Sequence, residues 1–217
     1  VNKQKSSKHQ KGGKMNLFKV VLTLAASVML FSEAVIAESG IKLGNPQYGG
    51  TGCPAGSASV SLSPEEDTLS ILFDSFSASA GNVTGKRVDR KSCNLSIPVR
   101  IPQGYSVSVI QVDYRGFNFI PAYGAYTRLN TEYFWAGIRG PMFSKLFTGP
   151  QNRDFTTTNG IIAESLVWTP CGASVNLRVN TSVMAQSNSR MDQTEIMVDS
   201  ADISSGLIYH LQWRRCY

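Results

Sequence analysis

Two glutamates of this chain sit inside apolar, aromatic stretches: Glu132 precedes Tyr133-Phe-Trp135, and Glu164 stands just before Leu166 and Trp168. Two carboxylates about 5–10 Å apart can hydrolyse a glycosidic bond. Nothing in the sequence sets the separation of these two, and an outward-facing or ion-paired acid is the ordinary state of such a residue. The pair therefore defines only an alternative, a secreted carbohydrate-active hydrolase. His210 is the one histidine beyond the first 37 residues. It falls on the polar phase between Tyr209 and Leu211, and no G-x-S-x-G elbow accompanies it, so a Ser-His-Asp site has no support. A lone imidazole is too little for a transition-metal centre. Glu65-Glu66-Asp67 lacks the spacing of a calcium loop and reads as a charged turn after Pro64. No catalytic residue, metal or cofactor is expected.

Binding chemistry has a better candidate. Asp113-Tyr-Arg-Gly-Phe-Asn-Phe-Ile-Pro-Ala-Tyr-Gly-Ala-Tyr126 carries Tyr114, Arg115, Phe117, Phe119 and Tyr123 in a stretch broken by Gly116, Pro121 and Gly124. Aromatic faces beside a guanidinium and a carboxylate suit sugar or peptide recognition. The breaks predict a long connection rather than a regular strand, with two or more of those rings partly exposed. The alternative is a lid of packed aromatics.

The elements that must hold these residues are strands. Cys93, Leu95, Ile97, Val99 and Ile101 alternate with polar neighbours. So do Val175, Leu177 and Val179, and Leu207, Tyr209, Leu211 and Trp213. Period-2 alternation marks half-buried strands with one wet face. Leu69–Phe73, Tyr133–Ile138 and Ile161–Trp168 are apolar on both phases and suit central strands. Within Tyr105–Tyr114 the apolar phase flips by one residue, as a β-bulge would make it. About eight or nine short strands punctuated by Gly, Pro and Asn predict one antiparallel β-sandwich, of jelly-roll or immunoglobulin type. It is expected to span 53–217, after a linker over 38–52.

The first 37 residues read as a targeting segment. Val20–Phe31 is an apolar run of 12 residues preceded by Lys14 and Lys19, with Val35 and Ala37 at the small-residue positions of a cleavage site. That is the order of a secretory signal peptide, and the run is too short for a bilayer, which needs about 20 apolar residues. Met15 is the expected start, with residues 1–14 an upstream extension. The net charge of +6 is mostly the leader's: residues 38–217 hold 15 basic against 14 acidic side chains. A domain so neutral gives no electrostatic footprint for nucleic acid. All four cysteines, Cys53, Cys93, Cys171 and Cys216, follow the leader and none forms a CxxC pair, so two disulfides are expected of an exported chain. Three pairings are possible. The expected one is sequential, Cys53 with Cys93 and Cys171 with Cys216. Asn82, Asn94 and Asn180 head sequons. The aromatic, alternating end at Tyr217 also allows an outer-membrane barrel, although Arg215 and the cysteines fit it poorly.

Six motifs run in order: Thr51-Gly-Cys-Pro54, Arg90-Lys-Ser-Cys93, Val112-Asp-Tyr-Arg-Gly116, Phe147-Thr-Gly-Pro150, Ser165-Leu-Val-Trp-Thr-Pro-Cys-Gly172, and Tyr209-His-Leu-Gln-Trp213 with Cys216. Together they resemble the secreted family filed as domain of unknown function 4360, found in fungi and bacteria. The resemblance implies a small exported β-rich domain with paired cysteines and brings no activity. The expected protein is secreted or at the cell surface. It is a non-enzymatic binding or structural domain, with a glycan or cell-surface polymer as its partner.

Overall fold

The computed structural model of the chain describes residues 40–198 and 206–216. The leader, with its cleavage position after Ala37, lies outside the described residues. The alternating runs become strands. In chain order these are β1 (Lys42–Leu43), β2 (Gln47–Gly49), β3 (Ala58–Leu62), β4 (Thr68–Phe73), β5 (Ser77–Ala80), β6 (Val88–Arg100) and β7 (Tyr105–Ile120). There follow β8 (Tyr126–Trp135), β9 (Met142–Thr148), β10 (Gln151–Gly160), β11 (Ser174–Gln186), β12 (Thr194–Met197) and β13 (Gly206–Arg215).

They form two antiparallel sheets. The first runs β1-β6-β11-β8-β9, with β2 also on β6; the second runs β3-β4-β13-β7-β12-β5, with β10 on β7. β12 and β13 lie end to end along one edge of β7, opposite 117–119 and 105–115, and β10 covers the other edge. The strands outnumber the expected eight or nine, for two reasons. Two paths are interrupted, β4/β5 and β12/β13. In addition β10 (Gln-Asn-Arg-Asp-Phe-Thr-Thr-Thr-Asn-Gly) carries no apolar alternation, because as an edge strand it buries little beyond Phe155. Polar and charged side chains on such an edge also discourage pairing with other chains.

Three further expectations change. The stretch 38–52 is not a free linker where it is described: β1 and β2 pair with β6, and Ile41 is buried. Ile161–Trp168 is not a strand; it is a strap with one 3-10 turn, Ala163–Ser165, running beside β7. Its apolar residues close a sandwich end instead: the Ile161 amide donates to the Ile110 carbonyl at 2.9 Å and the Trp135 indole donates to the Val167 carbonyl at 3.2 Å. The β8 strand stops at Trp135, so Ala136–Ile138 are turn residues. The phase flip, by contrast, is a bulge. His210 faces Gln111 and Leu211 faces Val109, leaving Ile110 as the extra residue.

The apolar phase of each sheet points inward. Tyr114 stacks on Phe143 across the interface at 4.5 Å between centroids, Tyr133 meets Tyr209 edge-on at 5.4 Å, and Phe147 packs on Phe155 at 4.6 Å. Such pairs add about 0.5–1.5 kcal/mol each beyond area burial. An apolar interior with polar outer faces is the reverse of an outer-membrane barrel, whose outward residues must be apolar. Cys53 joins Cys93, and Cys171 joins Cys216.

Burial pushes the hydroxyls of Tyr114, Tyr133 and Tyr209 above the ordinary tyrosine range. Their folded pKa exceeds the unfolded value of about 10, so the native state holds protons that the unfolded chain releases above that pH. Stability therefore falls as pH rises past about 10. In an alkaline titration these three of the eight tyrosines are expected to ionise only in one cooperative step, together with loss of the strand circular dichroism. All eight ionising while the strand signal persists would contradict this packing.

Candidate functional site

The segment chosen for its aromatics is not a long connection. It continues β7 to Ile120, and the turn is only Pro121–Ala125. The alternation is real but inverted in polarity: Tyr114, Gly116, Asn118 and Ile120 point inward, while Arg115, Phe117 and Phe119 point outward. Gly116 fits because nothing larger would. A Cβ there would lie 2.2 Å from the Met197 carbonyl oxygen and 2.9 Å from the Phe155 ring. Inward Asn118 is satisfied at its carbonyl by the Thr127 hydroxyl, 2.6 Å away. Tyr114 is core, Phe117 and Phe119 are half-buried beside Met197 and Glu195, and Tyr123 stands 80% exposed in the turn. Of the five ligand candidates, Arg115, Phe117 and Phe119 share the outer face of β7, Tyr114 lies in the core and Tyr123 stands in the turn.

The same outer face carries a polar cluster. His210 Nε2 lies 3.0 Å from Asp113 Oδ2, and the Thr158 hydroxyl donates to Asp113 Oδ1 at 2.7 Å. Burial alone would raise the Asp113 carboxyl; hydrogen bonds from Thr158 and His210, with the charges of His210 and Arg115, outweigh it and hold the group below the usual carboxylate value. This is not a hydrolytic triad. The hydroxyl is bonded to the acid, not to the imidazole, so no base faces a nucleophile.

Glu132 and Glu164 stand on different elements. Glu164 is exposed in the 3-10 turn of the strap, whereas Glu132 projects from the outer face of β8. The Glu65–Asp67 turn is spent internally: Glu66 Oε2 accepts the Ile41 amide at 2.9 Å and Asp67 Oδ1 accepts the Ser63 hydroxyl at 2.9 Å.

The outer face of the first sheet is built differently. Its central strands β6, β11 and β8 are long, and their registers align polar residues in rows across the strands. One row is Asn94, Asn180, Glu132 and Met142; the next is Ser92, Ser182, Asn130 and Ser144. Arg90, Met184 and Arg128 form a third. The first row, most of the second and Arg90 of the third line a shallow groove of about 220 Å³. Its internal bonds leave capacity to spare. Asn180 Nδ2 donates to Glu132 Oε2 at 3.4 Å, Arg90 Nη2 to the Ser182 hydroxyl at 3.2 Å, and the Ser144 hydroxyl to Asn130 Oδ1 at 2.7 Å. Glu132 is the single carboxylate among the described lining residues. Further along the same strands a second depression of about 540 Å³ is lined by Arg100, Pro98, Asn176 and Ser174.

Glu132 stands out in the sequence as a carboxylate and Asn94 and Asn180 as sequon asparagines; the other residues of the rows do not. Their signal is an Asn, Arg or Ser at every second position of three separate runs, which becomes a site only through register. Two sequons fall here: Asn94 and Asn180 face each other on adjacent strands, so a glycan on either would cover the groove. Asn82 lies apart, in the exposed turn between β5 and β6. Among the described residues no group of acidic, histidine and cysteine side chains has metal-binding geometry, and no helix is long and apolar enough to cross a membrane.

An uncharacterized secreted protein of Arthroderma benhamiae is 32% identical over 169 residues, covering 78% of this chain and 69% of its own length. Among solved structures, TmCBM61 in complex with beta-1,4-galactotriose aligns with 79% of this chain and 88% of its own, at 13% identity and a TM-score of 0.23. The family model "Domain of unknown function (DUF4360)" matches residues 39–216. A secreted relative over most of the chain, a two-sheet disulfide-paired fold and a match across essentially the whole described domain agree: this secreted chain belongs to the DUF4360 family.

Proposed function

We propose that the protein is a non-enzymatic glycan-binding domain and that the outer face of its first sheet is the binding surface. The observation that carries this reading is the alignment of Asn94, Asn180, Glu132, Ser92, Ser182 and Asn130 in two adjacent rows over one groove. Amide, carboxylate and hydroxyl groups set on rigid neighbouring strands offer donors and acceptors at fixed spacing, as the hydroxyls of a sugar require. Hydrolysis is not supported, because a glycosidase needs two carboxylates about 5–10 Å apart and the groove supplies one.

The test is a polysaccharide and glycan binding screen with the oxidised protein, from a host that leaves its asparagines unmodified. Retention without release of reducing sugar is expected. The double variant Asn94→Ala/Asn130→Ala removes two hydrogen-bonding side chains worth about 0.5–1.5 kcal/mol each, so affinity should fall roughly tenfold. Both amides are on the outer face, so melting should be almost unchanged. Unaltered affinity of this variant, or retention on no glycan at all, would sink the reading.

A further inference from the structure

We infer that the ligand of this face is an anionic polysaccharide, one that carries carboxylate, sulfate or phosphate groups along its chain. The inference rests on the glycan-binding reading and narrows its ligand. It comes from how charge is distributed over the two outer faces. Residues 38–217 are close to neutral, with 15 basic against 14 acidic side chains, yet the cations are not spread evenly. Arg90 and Arg128 flank Met184 in one row of the first sheet, Arg178 lies between Ser96 and Phe134 further along, and Arg100 faces Ser174 beyond that. All four point outward. The outward acid of these central strands is Glu132 alone. On the second sheet the outward phase of β7, β10 and β12 instead places Asp113, Asp154 and Glu195 around Arg115.

These arginines are not spent on the protein's own acids. None of the four makes an ion pair among the described residues, and Arg90 makes its one side-chain hydrogen bond to Ser182. With no ion pair among the described residues, these guanidinium groups are left able to take an external anion. Their arrangement is linear. The groove beside Arg90 and the depression beside Arg100 share two strands, β6 and β11. At about 3.3 Å per residue the track from Arg90 to Arg100 is roughly 33 Å long. It holds an extended chain of several sugars, with cations repeated along it. A guanidinium donates two parallel hydrogen bonds to a carboxylate, sulfate or phosphate, so each station favours such a group over a neutral hydroxyl. The intervening Asn and Ser side chains suit sugar hydroxyls, which a bilayer surface would not offer in register.

The experiment compares matched polymers: polygalacturonate against its full methyl ester, and a sulfated galactan against its desulfated form. Anionic phospholipid vesicles serve as a further arm. At least one charged polymer is expected to bind about tenfold or more tighter than its neutral partner. The preference should shrink as ionic strength rises. The variant Arg128→Ser/Arg178→Ser removes two of the four cations but neither arginine that lines the groove or the depression, so it should reduce the preference severalfold while binding of any neutral glycan persists. Both side chains lack ion pairs, so its melting temperature should move by no more than about 2 °C. Equal binding of charged and neutral partners overturns the anionic class and leaves the glycan reading standing. Retention on no polysaccharide overturns both. Binding to the vesicles alone overturns both in favour of a membrane surface.

Discussion

Removing the Cys53–Cys93 disulfide by the double change Cys53→Ala/Cys93→Ala is expected to destabilise the domain by about 4 kcal/mol, the loop-entropy value for a closed loop of this length. The two cysteines are 40 residues apart, so the cross-link denies the unfolded chain a long loop. For a domain of this size, 4 kcal/mol corresponds to a melting temperature lower by roughly 8–16 °C. The second disulfide provides the control. Its separation of 45 residues predicts nearly the same entropy term. The two sites differ in burial: Cys53 and Cys93 are fully buried in the core, whereas Cys171 is exposed and Cys216 half-buried. Truncation at the first pair also opens space that neighbouring side chains must fill. Cys53→Ala/Cys93→Ala should therefore melt below Cys171→Ala/Cys216→Ala. Equal losses in the two variants, measured by thermal or urea unfolding under oxidising conditions, would show that packing around Cys53 and Cys93 adds nothing.

Gly116→Ala should be nearly as damaging, although it adds a single methyl group. The new Cβ would sit 2.2 Å from the backbone oxygen of Met197 and against the Phe155 ring. The ring can rotate. The backbone oxygen can move only if β12 draws away from β7, where Met197 pairs with Phe117. Overpacking a core position costs about 1–3 kcal/mol, occasionally more, and a clash with paired backbone belongs at the upper end, about 3 kcal/mol. Gly160 is the matched control: it lies in β10 with nothing within 4 Å of its would-be Cβ, so Gly160→Ala should be close to neutral. A Gly116→Ala protein as stable as the parent would mean that β12 is not held against β7 at this point.

Gly116 also shows why the sequence misled over the best-looking motif. Read along the chain, Gly116, Pro121 and Gly124 break up a run of aromatics and suggest a loop. In the fold Gly116 is a strand residue whose missing side chain makes room for Phe155, a partner 39 positions away that no local pattern reveals. Asn118 misleads in the same way, because its inward carbonyl oxygen accepts from the Thr127 hydroxyl of β8. The polar strand β10 escapes notice because edge strands need not alternate. The Ile161–Trp168 strap reads as a strand because a segment lying along the edge of β7 also takes a run of apolar residues, without the regular backbone pairing.

What the sequence determined by itself is what local chemistry dictates. Period-2 alternation requires strands with one wet face, so it was enough to predict two packed antiparallel sheets. A one-residue phase flip cannot be accommodated in a regular ladder, so it predicted the bulge at Ile110. The order of six motifs was enough to suggest the family. What only the tertiary structure decided is which outward residues become neighbours. Asn94, Glu132 and Asn180 lie 38 and 48 residues apart along the chain, yet the registers of β6, β11 and β8 put them in one row. The same registers bring Arg90 and Arg128 to either side of Met184, while Glu164 lies in the 3-10 turn of the strap, on a different element from Glu132. Outward polar residues leave no trace of their neighbours in sequence, because alternation fixes the face on which a side chain stands, whereas the pairing of distant strands fixes what stands beside it.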